Sequence, residues 1–469
     1  MPERTMTVDL VLKDATVVSS AGLINASVAV DDGKVLLVGS GVVMPRADRT
    51  VDCAGKHIIP GVIDEHAHFG DPWGKSGEEP YYIEDFESGT RAAAAGGVTT
   101  VIDMPDSWPI VTDASILKSK ARVALSKAVV DFGLHGAFIP GMDFQSAIPE
   151  MLRAGASGLK TFTCQAYYNM PNIDEGELYE AFLQFAKADG VALIHAESEH
   201  VMSYNKARLE RQGRRDPAAY LENRTVLSEL LADRTVSFLG RLAGNRFLIV
   251  HTTIPEGVEE IRAAAALGAR ASVETCPHYL YLTEEELVKK GAWAKCGPPL
   301  RDKARVARLW ELLAAGRIDN IGSDHSPQTN EERVRSWGGD IWKAEPGFPG
   351  VQTMLPLMLN GVSSGRLSIE RLVSAMSENP ARLFGFYPSK GTVSVGSDAD
   401  LVVVDMKAEH RITSDEQASR VGWTPFDGTR IRGFPILTVS RGEVVAEDGV
   451  VVGKPGRGRF VRPKARAKP

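Results

Sequence analysis

Short apolar runs recur through the middle of the chain, each followed by a longer stretch in which apolar and charged positions repeat with helical spacing. Eight such runs stand out, at 57–63, 98–104, 129–138, 158–163, 191–195, 247–251, 271–275 and 320–324. Helical patterns lie between them, for example at 84–95, 174–188, 254–267 and 303–315. This alternation predicts a parallel sheet wrapped by helices, and eight βα units is the number that closes a barrel. The two ends read differently. Residues 9–17 and 26–38 are rich in β-branched side chains and are broken by Asp31-Asp32-Gly33; 400–405 and 436–452 show the same character, with Arg441-Gly442 and Glu447-Asp448-Gly449 as turns. Both ends are therefore expected to share one small β domain.

Length agrees with one large unit plus a smaller one, since a barrel of about 250 residues accounts for much of a 469-residue chain. With 43% apolar and 24% charged residues the chain can build an ordinary packed core. The net charge of −6, from 60 acids against 54 bases, gives no positive field to gather nucleic acid or an anionic membrane, so neither is expected as a partner and small-molecule chemistry is favoured. There is no signal-like start and no uninterrupted apolar run long enough for a membrane span, which predicts a soluble cytoplasmic protein. Cys53, Cys164, Cys276 and Cys296 show no CxxC spacing and are expected to be reduced. The stretch 454–469 carries seven Lys or Arg among Pro and Gly and reads as a solvated tail.

The informative residues are those that end the runs. The first ends in Asp64-Glu65-His66-Ala67-His68, the fourth in Lys160, the fifth in His195, the sixth in His251 and the eighth in Asp324. In a βα barrel the carboxyl ends of all strands converge on one mouth, so four imidazoles, a carboxylate and an amine are predicted to meet there. Strand side chains alternate faces, so His66 and His68 point the same way while Ala67 points into the wall. Imidazole and carboxylate suit zinc or another first-row divalent ion, and four His plus Asp exceed what a single four-coordinate catalytic ion can use, which argues for two ions. An ammonium beside two such ions would be repelled, so Lys160 must be neutral or altered; a carbamate formed with carbon dioxide would give it two anionic oxygens. A lone His at a strand end is ordinarily a packing residue; five metal-compatible residues at the predicted strand ends are not. His57, His135, His200 and His410 fall elsewhere and read as structural.

These residues resemble the cyclic amidohydrolases of the amidohydrolase superfamily, the hydantoinases, dihydropyrimidinases, allantoinases and dihydroorotases. The resemblance runs over nearly the whole chain. It is carried by Pro60-Gly61-Val62-Ile63-Asp64-Glu65-His66-Ala67-His68, Gly96-Gly97-Val98-Thr99-Thr100, Gly158-Leu159-Lys160, Ile194-His195-Ala196-Glu197, Val250-His251, Glu274-Thr275-Cys276-Pro277-His278-Tyr279, Pro298-Pro299-Leu300-Arg301, Gly322-Ser323-Asp324-His325 and Gly396-Ser397-Asp398-Ala399-Asp400-Leu401. It implies an α/β fold, a TIM-like (β/α)8 barrel over residues 57–392, with a small β-sandwich domain built from residues 1–56 and 393–455 and a basic tail at 456–469.

The resemblance further implies His66, His68 and Asp324 on one metal ion, His195 and His251 on the other, and Lys160 as a bridging N6-carboxylysine. The ions would be zinc, or manganese or cobalt. In that family a hydroxide bridging the metals attacks a cyclic amide carbonyl, and an aspartate matching Asp324 carries the proton to the departing nitrogen. The substrate would be a small cyclic ureide and the assembly a dimer or tetramer. Dihydroorotases place an Arg two residues after the second metal His to hold the substrate carboxylate; Gly70 stands there, which disfavours that activity. Ser323–Pro327 and Lys295–Pro299 look allantoinase-like, whereas 360–405 and Pro425-Phe426-Asp427-Gly428 look hydantoinase-like, so hydantoinase comes first and allantoinase second. Gln165 occupies the place of a family Tyr that contacts the reaction intermediate, leaving Tyr167 or Tyr168 for that role, and main-chain groups near Gly297 and Gly347 would hold the ring amides. Trp73, Tyr81, Tyr82, Phe162 and Trp342 lie in loops that either shape the substrate pocket or pack locally. A metal-free scaffold of the same fold is disfavoured because all six ligand positions are filled, and a mononuclear deaminase because it lacks the bridging lysine.

Overall fold

The computed structural model describes residues 7–70, 84–165 and 170–464. The amino end forms β1 (Thr7–Ser19), β2 (Gly22–Asp31), β3 (Lys34–Gly39), β4 (Arg46–Asp52) and β5 (His57–Pro60). Nine further strands follow: β6 (Val62–Ala67), β7 (Val98–Asp103), β8 (Asp131–Leu134), β9 (Gly136–Ala137), β10 (Leu159–Phe162), β11 (Val191–His195), β12 (Arg246–Ile249), β13 (Arg270–Thr275) and β14 (Asn320–Ile321). The carboxyl end adds β15 (Leu401–Arg411), β16 (Arg430–Ser440), β17 (Glu443–Glu447) and β18 (Val450–Val451).

β6 to β14 make the barrel. β6-β7-β8 and β9 through β14 pair in parallel and in sequence order, and β8 and β9 are two pieces of one strand interrupted at His135. Closure comes from a parallel bridge between Ala67 and His325, with His68 N–H donating to His325 O at 2.8 Å and Ser323 N–H to the Asp64 carboxylate at 2.9 Å. Helices pack between the strands, and their starts are chemically marked. Asp85 accepts from the Ser88 amide at 2.8 Å to open Phe86–Ala95, and Asp174 accepts from Glu177 at 2.8 Å to open Glu175–Ala188.

The ends of the chain meet in the small β-sandwich domain, a nine-stranded sheet ordered β18-β17-β16-β15-β5-β1-β2-β3 with β4 paired to β1. Three of its hairpins turn through two residues with positive φ at both, Asp32-Gly33 (47° and 71°), Arg441-Gly442 (44° and 78°) and Asp448-Gly449 (48° and 76°). That backbone twist matches the twist of the flanking strands, and it explains why Asp-Gly was a reliable signal in the sequence. Leu12, Val28, Leu401 and Val439 bury together at its centre.

Two expectations are corrected. The run 57–63 is not one barrel strand. His57–Pro60 pairs with β1 and β15 in the terminal sheet, and the barrel starts at Val62. The break falls at Gly61, whose N–H donates to Asp400 O at 2.8 Å and whose missing side chain leaves room for Thr99. Nor is the basic tail free in solvent as far as residue 464. Phe132 N–H donates to Arg459 O at 3.0 Å, Val461 N–H returns to Phe132 O at 2.7 Å, and the Phe460 ring stacks on Phe132 at 5.6 Å. Arg457 donates to Val129 O at 3.1 Å and to Ser440 O at 2.7 Å, so its guanidinium is used to hold the tail against the barrel and the terminal sheet.

A buried ion cluster joins barrel and terminal sheet: Lys390 Nζ lies 2.8 Å from Asp131 and 2.5 Å from Asp400, and Arg441 lies 2.9 Å from Asp131. All four cysteines are free and buried. Among the described residues no helix is long and apolar enough to cross a membrane.

Candidate active site

Side chains from five strands meet at the carboxyl end of the barrel. His66 and His68 come from β6 and the residue after it, Lys160 from β10 and His195 from the last position of β11; His251 and Asp324 stand just past β12 and β14. All six line one cavity with Phe162, Gly297, Ser326, Pro346 and Gly347. Ala67, between the two histidines, is fully buried in the wall, as the strand period requires. Asp324 Oδ1 lies 3.2 Å from His66 Nε2 and 3.3 Å from His68 Nε2. The His66 ring centroid is 5.3 Å from those of His68 and His251, and His195 is 4.6 Å from His251. Four imidazoles thus form a continuous chain around the mouth.

Three carboxylates that the sequence reading did not single out stand behind these rings. His66 Nδ1 is hydrogen-bonded to Glu274 at 2.7 Å, His68 Nδ1 to Asp106 at 2.9 Å and His195 Nε2 to Glu197 at 2.8 Å. Such partners fix ring orientation and tautomer and make the opposite nitrogen more basic. Glu274 also accepts from the His251 backbone N–H at 2.9 Å, so one carboxylate spaces two imidazoles. A signal for Glu197 existed, because His195-Ala196-Glu197 has the same two-residue spacing as His66-Ala67-His68. Glu274 stands one residue before the end of β13, close to where the histidines stand on their strands; Asp106, in the loop after β7, offered no comparable pattern.

Burial sets the protonation of the cavity. It lowers His195 to about 4 and holds His251 well below the usual imidazole range, where His195, Lys160 and His66 add to the effect. Burial also brings Lys160 down to about 8, against the pull of Glu274, Asp324 and Asp106. For His68 burial is outweighed by Asp106 and Asp324, which raise it to about 9. Asp324 is held well below the ordinary carboxylate range, because His66 and His68 overcome the burial that opposes its charge. The Lys160 amine and His251 Nδ1 are buried without a hydrogen-bond partner among the described residues, and the amine sits 5.0 Å from the Phe162 ring centroid. Cys164, His195 and Glu197 also bring possible ligand atoms together, but burial pushes the Cys164 thiol up and Glu197 is committed to Arg224 at 2.6 Å.

His251 (φ 41°) and Asp324 (φ 48°) adopt the left-handed backbone region that non-glycine residues rarely enter. The two glycines of interest are held from behind. Lys295 is fully buried and its Nζ donates to Ile341 O at 2.8 Å and Ala344 O at 2.5 Å, while Gly347 N–H donates to Lys295 O at 3.0 Å. Arg333 donates to Ala292 O and Gly347 O, tying the same two loops. Tyr220 OH donates to Cys296 O at 3.0 Å and receives Arg224 at 2.6 Å, which links the His195–Glu197 pair to the loop of Gly297. The Gly347 amide hydrogen is used by Lys295 O and its carbonyl already accepts from Arg333, so its Cα and the second lone pair of that carbonyl are what remain for a ligand. Tyr167 and Tyr168, like Trp73, Tyr81 and Tyr82, lie outside the described residues. Phe162 lines the cavity; Trp342 instead donates to Arg214 O at 2.9 Å. His57, His135 and His410 are placed elsewhere: in the terminal sheet, beneath the mouth against Glu65 O at 3.1 Å, and against Glu416 on the surface. His200 lies in the first turn of the helix Glu199–Arg211, outside the cavity lining.

The sequence profile of the amidohydrolase family matches residues 57–445. The L-hydantoinase of Paenarthrobacter aurescens is 38% identical over 455 residues, covering 97% of this chain and 98% of that protein. An allantoinase of Solibacter usitatus is 34% identical over 461 residues, covering 97% of each. Among solved structures, the L-hydantoinase (dihydropyrimidinase) from Arthrobacter aurescens superposes with a TM-score of 0.91 over 97% of this chain and 100% of that one.

Proposed function

Because the chain belongs to the amidohydrolase family, in its cyclic amidohydrolase group, we propose that it opens a cyclic ureide at the amide carbon–nitrogen bond, with hydantoins as the first substrate class and allantoin as the alternative. The observation that carries this reading is the convergence of His66, His68, Lys160, His195, His251 and Asp324 on one cavity at the barrel mouth. The donor set fits two divalent ions, zinc first and manganese or cobalt next. Two of the four imidazoles, His195 and His251, are kept neutral by burial, and one buried amine and one buried imidazole nitrogen have no other partner among the described residues.

His66, His68 and Asp324 would hold one ion and His195 and His251 the other, with Lys160 between them. An amine brought down to about 8 is partly unprotonated near neutral pH, which is the form that adds carbon dioxide to become a carbamate, N6-carboxylysine. When bound, two divalent ions lower the pKa of water toward neutrality and polarise the amide carbonyl. Asp324, kept ionised by its two histidines, accepts the proton of the attacking water and delivers it to the ring nitrogen as the carbon–nitrogen bond breaks. Glu274, Asp106 and Glu197 keep the rings oriented through that transfer. The backbones near Gly297 and Gly347 are the candidate groups to hold the ring amides, and Tyr167 or Tyr168 the candidates to contact the reaction intermediate.

Residues 62–392 form the catalytic unit, and the two ends together with His57–Pro60 the small domain; the protein works in the cytoplasm as a homo-oligomer. Initial ring-opening rates on hydantoin, a 5-substituted hydantoin, allantoin, dihydrouracil and dihydroorotate, with a chelator control, test the reading. A rate that peaks on one ureide and vanishes with the chelator supports it. No turnover on any ring, with two metals bound per chain, overturns the substrate class.

A further inference from the structure

At the far ends of β15 and β16 the chain sets like charges against each other. Arg411 pairs in register with Arg430, and Glu409 with Arg432, and strand alternation puts all four on the exposed face of the ribbon. Like charges directly opposite on antiparallel strands are destabilising. An exposed cation elsewhere in the same sheet, Arg49, meets Glu447 at 2.9 Å. Arg411, Arg430 and Arg432 have no such relief: none makes a side-chain hydrogen bond or has an acid within 4.0 Å among the described residues. The ribbon is nonetheless firmly anchored. Ile431 is buried against Leu357, Ile412 and Phe426. Asn360 Oδ1 accepts from Arg432 N–H at 3.0 Å, while its amide donates to Tyr281 OH at 3.2 Å. Three guanidiniums are thus presented together on a fixed backbone.

With His410, Ile431 and Asn360 these four residues line a groove of about 490 Å³, within the size range of small-molecule sites. Three cations there face one acid, Glu409, since His410 is engaged by Glu416 at 2.9 Å. In a chain of net charge −6 this positive excess is local. Gly428 shapes it. With φ 80° and no side chain it leaves Arg411 room to lie over the turn, where a Cβ would stand 3.4 Å from a terminal guanidinium nitrogen. Guanidinium forks match the oxygens of a tetrahedral dianion two at a time, and a dianion between Arg411 and Arg430 turns their repulsion into a shared attraction. A carboxylate, with two oxygens and one charge, leaves forks unfilled. We propose that this groove binds a small phosphate monoester free in solution. The site is independent of the ring-opening reaction, because none of its lining residues belongs to the cavity at the barrel mouth.

Titration calorimetry of the full chain with inorganic phosphate, at an ionic strength held constant with chloride, is expected to show a site half-filled at about 1 mM or below. Arg411→Gln and Arg430→Gln, made separately, should each weaken it by about tenfold or more. Arg211→Gln removes the same charge from the helix Glu199–Arg211, outside the groove, and should leave the affinity within about two-fold of wild type. Without phosphate, Arg411→Gln should melt about 1 °C above wild type because the repulsion is relieved, and phosphate should then stabilise wild type more than the variant. Absence of binding to wild type at about 10 mM phosphate overturns the site. So does binding that survives in both groove variants, or a loss in Arg211→Gln equal to that in Arg411→Gln. Sedimentation of the chain with phosphatidic acid vesicles, without any response to free phosphate, would assign the face to a membrane surface and overturn the free ligand. Should a groove variant lose its circular-dichroism signal, Arg432→Gln carries the same test and should weaken phosphate likewise.

Discussion

Replacing Gly347 by alanine adds one methyl group at the rim of the cavity, and the structure separates its two consequences. The first is backbone strain: Gly347 has φ 110°, a region that residues with a Cβ avoid at a cost of about 1–3 kcal/mol. Gly339, in the same loop, has φ 83° and open space around an added Cβ, so Gly339→Ala carries strain alone. The second consequence belongs to Gly347 only. Its new Cβ would lie 2.9 Å from Ser326 Oγ and 3.0 Å from Ser326 Cβ, and closer still to Ser326 O. Restoring ordinary contact moves the two backbones apart by on the order of 1 Å, and Ser326 stands two residues after Asp324 on the same cavity wall. A displacement of about 1 Å at reacting groups costs on the order of 100-fold in rate, or about 2.7 kcal/mol of barrier.

Gly339→Ala should therefore lose about 1–2 kcal/mol of unfolding free energy in urea with kcat/KM within about three-fold of wild type. Gly347→Ala should lose more stability and about 100-fold in kcat/KM, measured as initial ring-opening rates at matched bound metal. Wild-type kcat/KM in Gly347→Ala, or an equal loss in Gly339→Ala, would refute the claim that the Gly347–Ser326 approach positions the reacting groups.

Four further outcomes follow from other contacts. Lys160→Ala should lose most activity and most bound metal, with partial recovery when a short-chain carboxylic acid is added; metal content and rate together check it, and retention of both would remove Lys160 from the site. Lys390→Met leaves Asp131 and Asp400 buried without their shared ammonium and should cost about 3–5 kcal/mol in urea unfolding. Asp85→Ala removes the cap of Phe86–Ala95 and should cost about 1–2 kcal/mol. Burial opposes the Asp85 charge, but Ser88, Arg420 and Lys127 outweigh it and hold the carboxyl below the ordinary carboxylate range, so its contribution is complete above that range and fades as pH falls through the depressed value; unfolding of both proteins between pH 6 and pH 2 should show the gap closing. Phe460→Ala should cost about 1–2 kcal/mol by thermal or urea unfolding if its ring supports β8, and a change within error would return the tail to solvent.

The convergence of His66, His68, Lys160, His195, His251 and Asp324 was legible because each is a polar residue at the end of an apolar run, and a barrel turns that one-dimensional mark into a shared place. The hairpins at 32–33, 441–442 and 448–449 were legible because their turns demand positive φ and the residues supply it. The division at Gly61 was not, since His57–Pro60 and Val62-Ile63 read as one apolar run and only the pairing partners differ. The tail misled for a related reason. Arg457 and Arg459 look like solvated charges until the carbonyls and amides they meet, on Val129, Ser440 and Phe132, are brought in from more than three hundred and from seventeen residues away. Sequence pattern reports a residue's neighbours along the chain; these roles depend on neighbours across it.

Glu274 shows what the site needs beyond its six convergent residues. Its Oε1 accepts from His66 Nδ1 and from the His251 backbone N–H, so a single carboxylate on β13 couples a residue of β6 to the turn after β12. His251 holds a left-handed backbone there, and a residue in that region persists only where its surroundings over-determine it. The bond from Glu274 supplies that constraint at the point where the chain leaves the barrel wall. Glu65, immediately before His66, is buried with no hydrogen-bond partner for either oxygen among the described residues; burial first, then Glu274 and Asp64, push its carboxyl well up, toward the neutral form. The acidic groups under the mouth are therefore differentiated by environment. One is neutral filling and another spaces two imidazoles, while Asp324 alone reaches the cavity ionised, the state a proton carrier requires before it can act.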